Sequence, residues 1–139
     1  MSGMVPPLVL DIDGTLTEGS GRLDPRTFEY LPAWDAPLVL ATGKAFPYPV
    51  SLCHYFGIEL RVIAENGGVV LADDTVSYQG DRQRAADAAA EFEARGGDLG
   101  WPAFDAINEW RRTEIAANVS ADETLLREVA AEYDLEVFD

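Results

Sequence analysis

Three short apolar runs constrain this chain more than any other feature, because each stops abruptly on a polar, glycine-bearing box. Residues 5–12 run into Asp11-Ile12-Asp13-Gly14-Thr15, residues 38–41 into Thr42-Gly43-Lys44, and residues 60–64 into Glu65-Asn66-Gly67-Gly68. Runs this short, bounded by turn residues, read as strands; the first is expected to be buried on both faces, as in a parallel sheet. Between them lie helix signals. Asp24-Pro25 offers an N-cap followed by proline at the first helical position, with a short helix to about Pro32. Residues 47–56 form a second helix, stopped by Gly57. Strand, helix, strand, helix, strand at this spacing predicts an α/β fold with a parallel sheet, whose ligands sit at the carboxyl ends of the strands. Residues 14–24, rich in glycine, serine and threonine, form a loop or small flap over that end.

The pattern changes near residue 80. Residues 69–78 read as a hairpin turning at Asp73-Asp74. Residues 81–95 form an alanine-rich helix ended by Gly96-Gly97. Residues 106–119 alternate in strand-like fashion through Trp110. Ser120-Ala121-Asp122-Glu123 reads as a capping box opening a helix with Leu125, Leu126, Val129, Ala130 and Tyr133 on one face. Leu135 to Phe138 starts a further strand. The expectation is a core at residues 1–80 and a separate α+β unit at 81–139.

The charge balance bounds the partners. With 25 acidic and 10 basic residues the net charge is −15, which repels nucleic acid and anionic membranes. It repels anionic substrates too, so a phosphate site here must carry its own local positive charge. Lys44 is the only lysine; the other basic residues are arginines. High acidity with so little lysine is the composition of proteins from salt-loving organisms. The single cysteine, Cys53, excludes an internal disulfide and reads as a buried free thiol in a reducing compartment. His54 beside it reads as structural. Asn118-Val119-Ser120 matches a glycosylation sequon, but helix capping accounts for Ser120 better. No segment approaches the roughly 18 apolar residues of a membrane helix, and the N-terminus lacks the pattern of a signal peptide. The expected location is cytoplasmic.

The first box carries the chemistry. Two carboxylates at the end of an apolar strand are costly without a partner, so they point to a cation, a reacting group or both. A calcium loop starting at Asp11 would need glycine at its sixth position and glutamate at its twelfth; these are Leu16 and Arg22, and a strand precedes the motif. Residues i and i+2 at a strand end point the same way, so Asp11 and Asp13 share one site. Each remaining candidate has a plain structural alternative. Thr42 could be a helix cap, Lys44 a solvated side chain, Asn66-Gly67 a hairpin turn, and Arg111 or Arg112 a solvated strand face.

With Asp11-Ile12-Asp13-Gly14-Thr15-Leu16 after one strand and Thr42-Gly43-Lys44 after the next, 31 positions on, the sequence resembles the haloacid dehalogenase superfamily of phosphohydrolases. Glu65-Asn66-Gly67-Gly68 is similar to a segment common in the subgroup with an α+β cap inserted at this point. Within that subgroup Asn108-Glu109-Trp110-Arg111-Arg112 resembles the cap strand of archaeal phosphoglycolate phosphatases. The resemblance implies a partial Rossmann-like core with an inserted cap and a magnesium-dependent phosphatase acting on a small phosphorylated metabolite. It implies Asp11 as nucleophile and Mg ligand, and Asp13 as acid/base and, through its carbonyl, Mg ligand. It assigns substrate binding to Thr42, Gly43, Lys44 and Asn66, with Arg111 as a bidentate clamp for a substrate carboxylate.

Two family elements have no counterpart in these residues: a basic residue after the cap, and an acidic cluster, Gly-Asp-x-x-Asn-Asp, that completes the Mg site. Three readings follow. One is a phosphatase represented by its N-terminal part; one is a binding module that keeps the fold without the activity. The third is a split enzyme completed by a second copy or a complementing chain along an exposed sheet edge.

Overall fold

The computed structural model describes residues 4–139. The chain divides into two compact units, Met1–Gln79 and Gly80–Asp139.

The first unit is built on a five-stranded sheet, Leu8–Asp11 (β1), Leu38–Ala41 (β2), Val62–Ala64 (β3), Val69–Ala72 (β4) and Thr75–Tyr78 (β5), ordered β1-β2-β3-β4-β5. β1, β2 and β3 are parallel, and β3, β4 and β5 antiparallel. The helices Thr27–Tyr30 (α1) and Pro47–Phe56 (α2) make the two crossovers between parallel strands. The α/β class and the order of elements are those expected from the apolar runs. The β4–β5 hairpin turns on Asp73 and Asp74, both at positive φ, as a two-residue turn requires. α2 ends as the sequence indicates: Gly57 adopts φ 71° and its N–H closes on the carbonyls of Cys53 and His54. The flap is a small β-bridge between Thr17 and Leu23.

β1 departs from expectation. It is shorter than residues 5–12, and its side chains alternate between half-buried and exposed because only one of its faces packs on the core. Val9 is 66% exposed while Leu8 and Leu10 pack on the core. That core gathers Ile12, Leu16, Leu38, Leu40, Cys53, Phe56 and Val62. Leu40, fully buried in β2, is a position where truncation to alanine costs about 2–5 kcal/mol. Burial pushes the Cys53 thiol above its ordinary pKa, which suits an inert core residue.

In the second unit, Arg82–Ala94 (α3) and Glu123–Glu132 (α4) pack on each other around Ala88, Phe92 and Val129. The ring of Phe92 lies so close to Gly97 that a Cβ there would meet it at 2.5 Å. Three sequence expectations fail here. Residues 106–119 contain no strand, because side chains rather than a neighbouring strand satisfy the backbone. The Asn108 carboxamide takes both backbone groups of Ala116, donating to its carbonyl at 2.9 Å and accepting from its N–H at 2.7 Å. Arg82 donates to the Arg111 carbonyl, and the Trp101 indole donates to Ala116. Residues 135–138 likewise form no strand; the chain leaves α4 through Asp134 at φ 55° with Leu135 N–H bonded back to the Ala130 carbonyl. The cap of α4 is Asp122, which accepts from Leu125 N–H at 3.1 Å, and not Ser120.

Candidate active site

The three boxes meet at one end of the parallel strands. Asp11 stands level with Ala41, so the turn after β1 lies beside the turn after β2. Thr42 N–H bonds to the Ile63 carbonyl and Asn66 N–H to the Thr42 carbonyl, which joins the third box to the second.

The first box is a tight turn over Ile12–Leu16. Its ends close through Thr17 N–H to the Ile12 carbonyl at 3.1 Å, and Gly14, at φ 81°, makes the reversal. Gly14 N–H is taken by the Thr17 hydroxyl at 2.9 Å. Ile12 and Leu16 bury beneath the turn and leave Asp11 and Asp13 exposed above it. One Asp11 oxygen accepts from Ile12 N–H at 2.8 Å, which orients the carboxylate.

In the second box Thr42 is buried, and its hydroxyl accepts from Lys44 N–H at 3.0 Å. The Lys44 carbonyl accepts from Glu65 N–H, so the backbone of Lys44 is held from both sides. Its side chain reaches back over the first box. Nζ lies 3.5 Å from an Asp13 oxygen and 5.5 Å from the centre of the Tyr48 ring. The chain's only lysine is thus placed beside the exposed Asp13 carboxylate of the turn that follows β1.

The third box is strained. Glu65 and Asn66 both adopt positive φ, 52° and 56°, which side chains other than glycine rarely do. Glu65 is buried, with only 1% of its surface exposed, whereas Asn66 is exposed. Asn66 lies against Gly43: a Cβ on Gly43 would stand 2.8 Å from Asn66 Oδ1. Gly43 is therefore what allows the Asn66 side chain to lie against the second box.

Arg111 belongs to the second unit. Its side chain is nearly buried there; it donates to the Ile107 carbonyl at 2.7 Å and pairs with Glu114. These contacts make it a tie within its own loop. Sequence reasoning passed over Tyr48; its signal was an aromatic residue four positions after the only lysine, between Pro47 and Pro49.

A family model described as haloacid dehalogenase-like hydrolase matches residues 8–92. The chain belongs to the haloacid dehalogenase-like hydrolase family. It is 60% identical over 138 residues to a phosphoglycolate phosphatase of Halorubrum lacusprofundi, covering 98% of this chain and 61% of that protein. It is 48% identical to a phosphoglycolate phosphatase of Natronomonas pharaonis, over 98% of this chain and 61% of that one. The chain thus spans about three fifths of the length of these relatives. Among solved structures, a Thermoplasma acidophilum protein shares the fold with a TM-score of 0.74 at 20% identity, over 94% of this chain and 57% of the other. A haloacid dehalogenase-like hydrolase from Bacteroides thetaiotaomicron does so at 0.61 and 17%, over 93% and 63%.

The family implies a magnesium ion. Among the described residues no three metal-ligating side chains gather, but Asp11 and Asp13 supply hard oxygen donors at one strand end. A magnesium ion commonly takes only one or two carboxylates and completes its shell with water and substrate phosphate, so the donor chemistry fits.

Proposed function

We propose that the protein hydrolyses phosphate monoesters, with phosphoglycolate as the leading substrate. The observation that carries this reading is the placing of Asp11 and Asp13 beside Thr42, Gly43 and the sole lysine at the carboxyl ends of two adjacent parallel strands. The relatives named phosphoglycolate phosphatase support the choice of substrate.

Asp11 is the nucleophile. One of its oxygens attacks phosphorus, the bond from phosphorus to the ester oxygen breaks, and the phosphoryl group passes to Asp11. Asp13 donates a proton to the departing alkoxide. It then removes a proton from a water, which attacks the phosphoryl group and releases inorganic phosphate with Asp11 restored. An anion attacking an anion needs local positive charge; in a chain of net charge −15 the Lys44 ammonium, 3.5 Å from Asp13, is the cation at this strand end. The Thr42 hydroxyl, with one lone pair engaged by Lys44 N–H, keeps its proton to donate to a phosphoryl oxygen. Asn66, held against Gly43, adds a polar side chain on the same rim. Asp11 and Asp13 would hold magnesium, which when bound supplies positive charge against the phosphate dianion.

The test is turnover of phosphoglycolate with and without magnesium, in wild type and Asp11→Asn. The expected result is magnesium-dependent release of phosphate that Asp11→Asn abolishes. Turnover that survives Asp11→Asn would remove the reading, and so would its absence from the folded, metal-loaded protein.

A further inference from the structure

We infer that Tyr48 is a positioning residue: its ring is the platform that holds the Lys44 ammonium over the carboxyl end of β1, where it meets the phosphate. The inference rests on the phosphatase reading above and adds to it a residue outside the three boxes.

The Lys44 backbone is fixed, since its N–H bonds to Thr42 and its carbonyl accepts from Glu65. The four-carbon side chain is not fixed by this. The ion pair with Asp13 leaves the two side chains 41% and 59% exposed. A pair that open is weak and screened by salt, so a second restraint on the flexible ammonium adds to it. The Tyr48 ring supplies the second restraint, with Nζ 5.5 Å from its centre, inside the range in which an aromatic face attracts a cation.

The backbone that carries the ring is fixed. Tyr48 is the second residue of α2, and the turn that leads into the helix brings its ring to the Lys44 side chain. Pro47 and Pro49 flank it and restrict the backbone on both sides; Pro49 is among the most completely buried residues of the chain. Tyr48 N–H bonds to the Ala45 carbonyl at 3.1 Å. An aromatic on a restrained backbone at the start of a helix thus faces the only lysine of a strongly acidic chain, at the point where an anionic substrate needs a cation.

The test reads Lys44 directly. Lysine labelled with 13C at Cε is incorporated, and the Lys44 signal is identified by its loss in Lys44→Gln. The Tyr48 ring current is expected to displace this signal upfield in the wild type. Tyr48→Leu returns it to the position of free lysine, and Tyr48→Phe, which keeps the aromatic face, restores the displacement. In the same proteins Tyr48→Leu is expected to raise the KM for phosphoglycolate and the inhibition constant of inorganic phosphate by about two- to fivefold, with kcat changed less. Tyr48→Phe recovers most of that affinity, and Tyr48→Leu adds nothing in a Lys44→Gln background. An undisplaced Lys44 signal in the wild type would overturn the inference. So would a Tyr48→Leu penalty that is absent, or one that persists undiminished without Lys44. If the wild type shows no Asp11-dependent turnover, the phosphatase reading fails separately, and the lysine signal still decides whether Tyr48 places Lys44.

Discussion

Gly43 and Gly80 answer the same substitution in opposite ways. A Cβ on Gly43 meets the exposed end of the Asn66 side chain at 2.8 Å, and that end can swing away. A Cβ on Gly80 meets the Thr113 carbonyl oxygen at 2.6 Å, and backbone cannot yield in that way. Gly43→Ala is therefore expected to keep the melting temperature near the wild-type value while raising the KM for phosphoglycolate, because it displaces Asn66 from the rim. Gly80→Ala is expected to destabilise the fold by about 1–3 kcal/mol, the usual cost of overpacking. Thermal melts beside kinetics separate the two. The Asp11 and Asp13 pair was legible in the sequence, because carboxylates ending an apolar run have few structural uses. The contact of Asn66 with Gly43 was not, since it joins two loops whose distance in space no local pattern encodes. Tyr48 was hidden because prolines on either side make its segment look purely structural.

Among the elements, α2, β2 and β3 follow their local signals closely, whereas α1 is a single turn, Thr27–Tyr30, that starts after Arg26 and not at Asp24-Pro25. β2 and β3 are apolar runs between turn residues, and α2 carries its own stop in Gly57. The second unit shows where such signals fail. Alternation at 106–119 predicts a strand only if another strand offers ladder partners; here the Asn108 carboxamide takes that part for Ala116. Asn108→Ala leaves two backbone groups without their partner. It is expected to cost about 1–3 kcal/mol and to speed amide exchange of Ala116, while Asn108→Asp, which keeps the acceptor, costs less. Unchanged exchange at Ala116 would contradict that account of the loop.

The pairing of α3 with α4 carries a pH dependence. Arg95 bonds to Glu91 and Glu132, and its guanidinium holds the Glu132 carboxyl below its ordinary value of 4.5. A carboxyl depressed in the folded state stabilises it above the unfolded pKa, and the contribution fades as pH falls through the folded value. The melting-temperature advantage of the wild type over Glu132→Gln is thus expected to shrink as pH falls from about 6 to about 3. An identical slope in the variant would remove Glu132 from the cause.

At the scale of the whole molecule the net charge dominates. A chain with 25 acidic and 10 basic residues repels itself when folded, and added salt shortens the range of that repulsion from about 10 Å at 0.1 M to about 3 Å at 1 M. The melting temperature is expected to rise as potassium chloride is raised over this range; a flat or falling curve would show that the acidic surface does not limit stability. Composition alone announced this property, whereas the open face of β1 required the structure. An apolar run does not say whether both faces of its strand will be covered, and Val9, expected in a buried strand, is 66% exposed.

The central claim is that Asp11 takes the phosphoryl group. The most direct measurement is acid quenching of the protein during turnover of phosphoglycolate, followed by mass analysis of its peptides. The account predicts one phosphoryl group on the peptide bearing Asp11, labile at neutral pH and absent from Asp11→Asn. Turnover with no adduct on that peptide, or with the phosphoryl group on another residue, would contradict it.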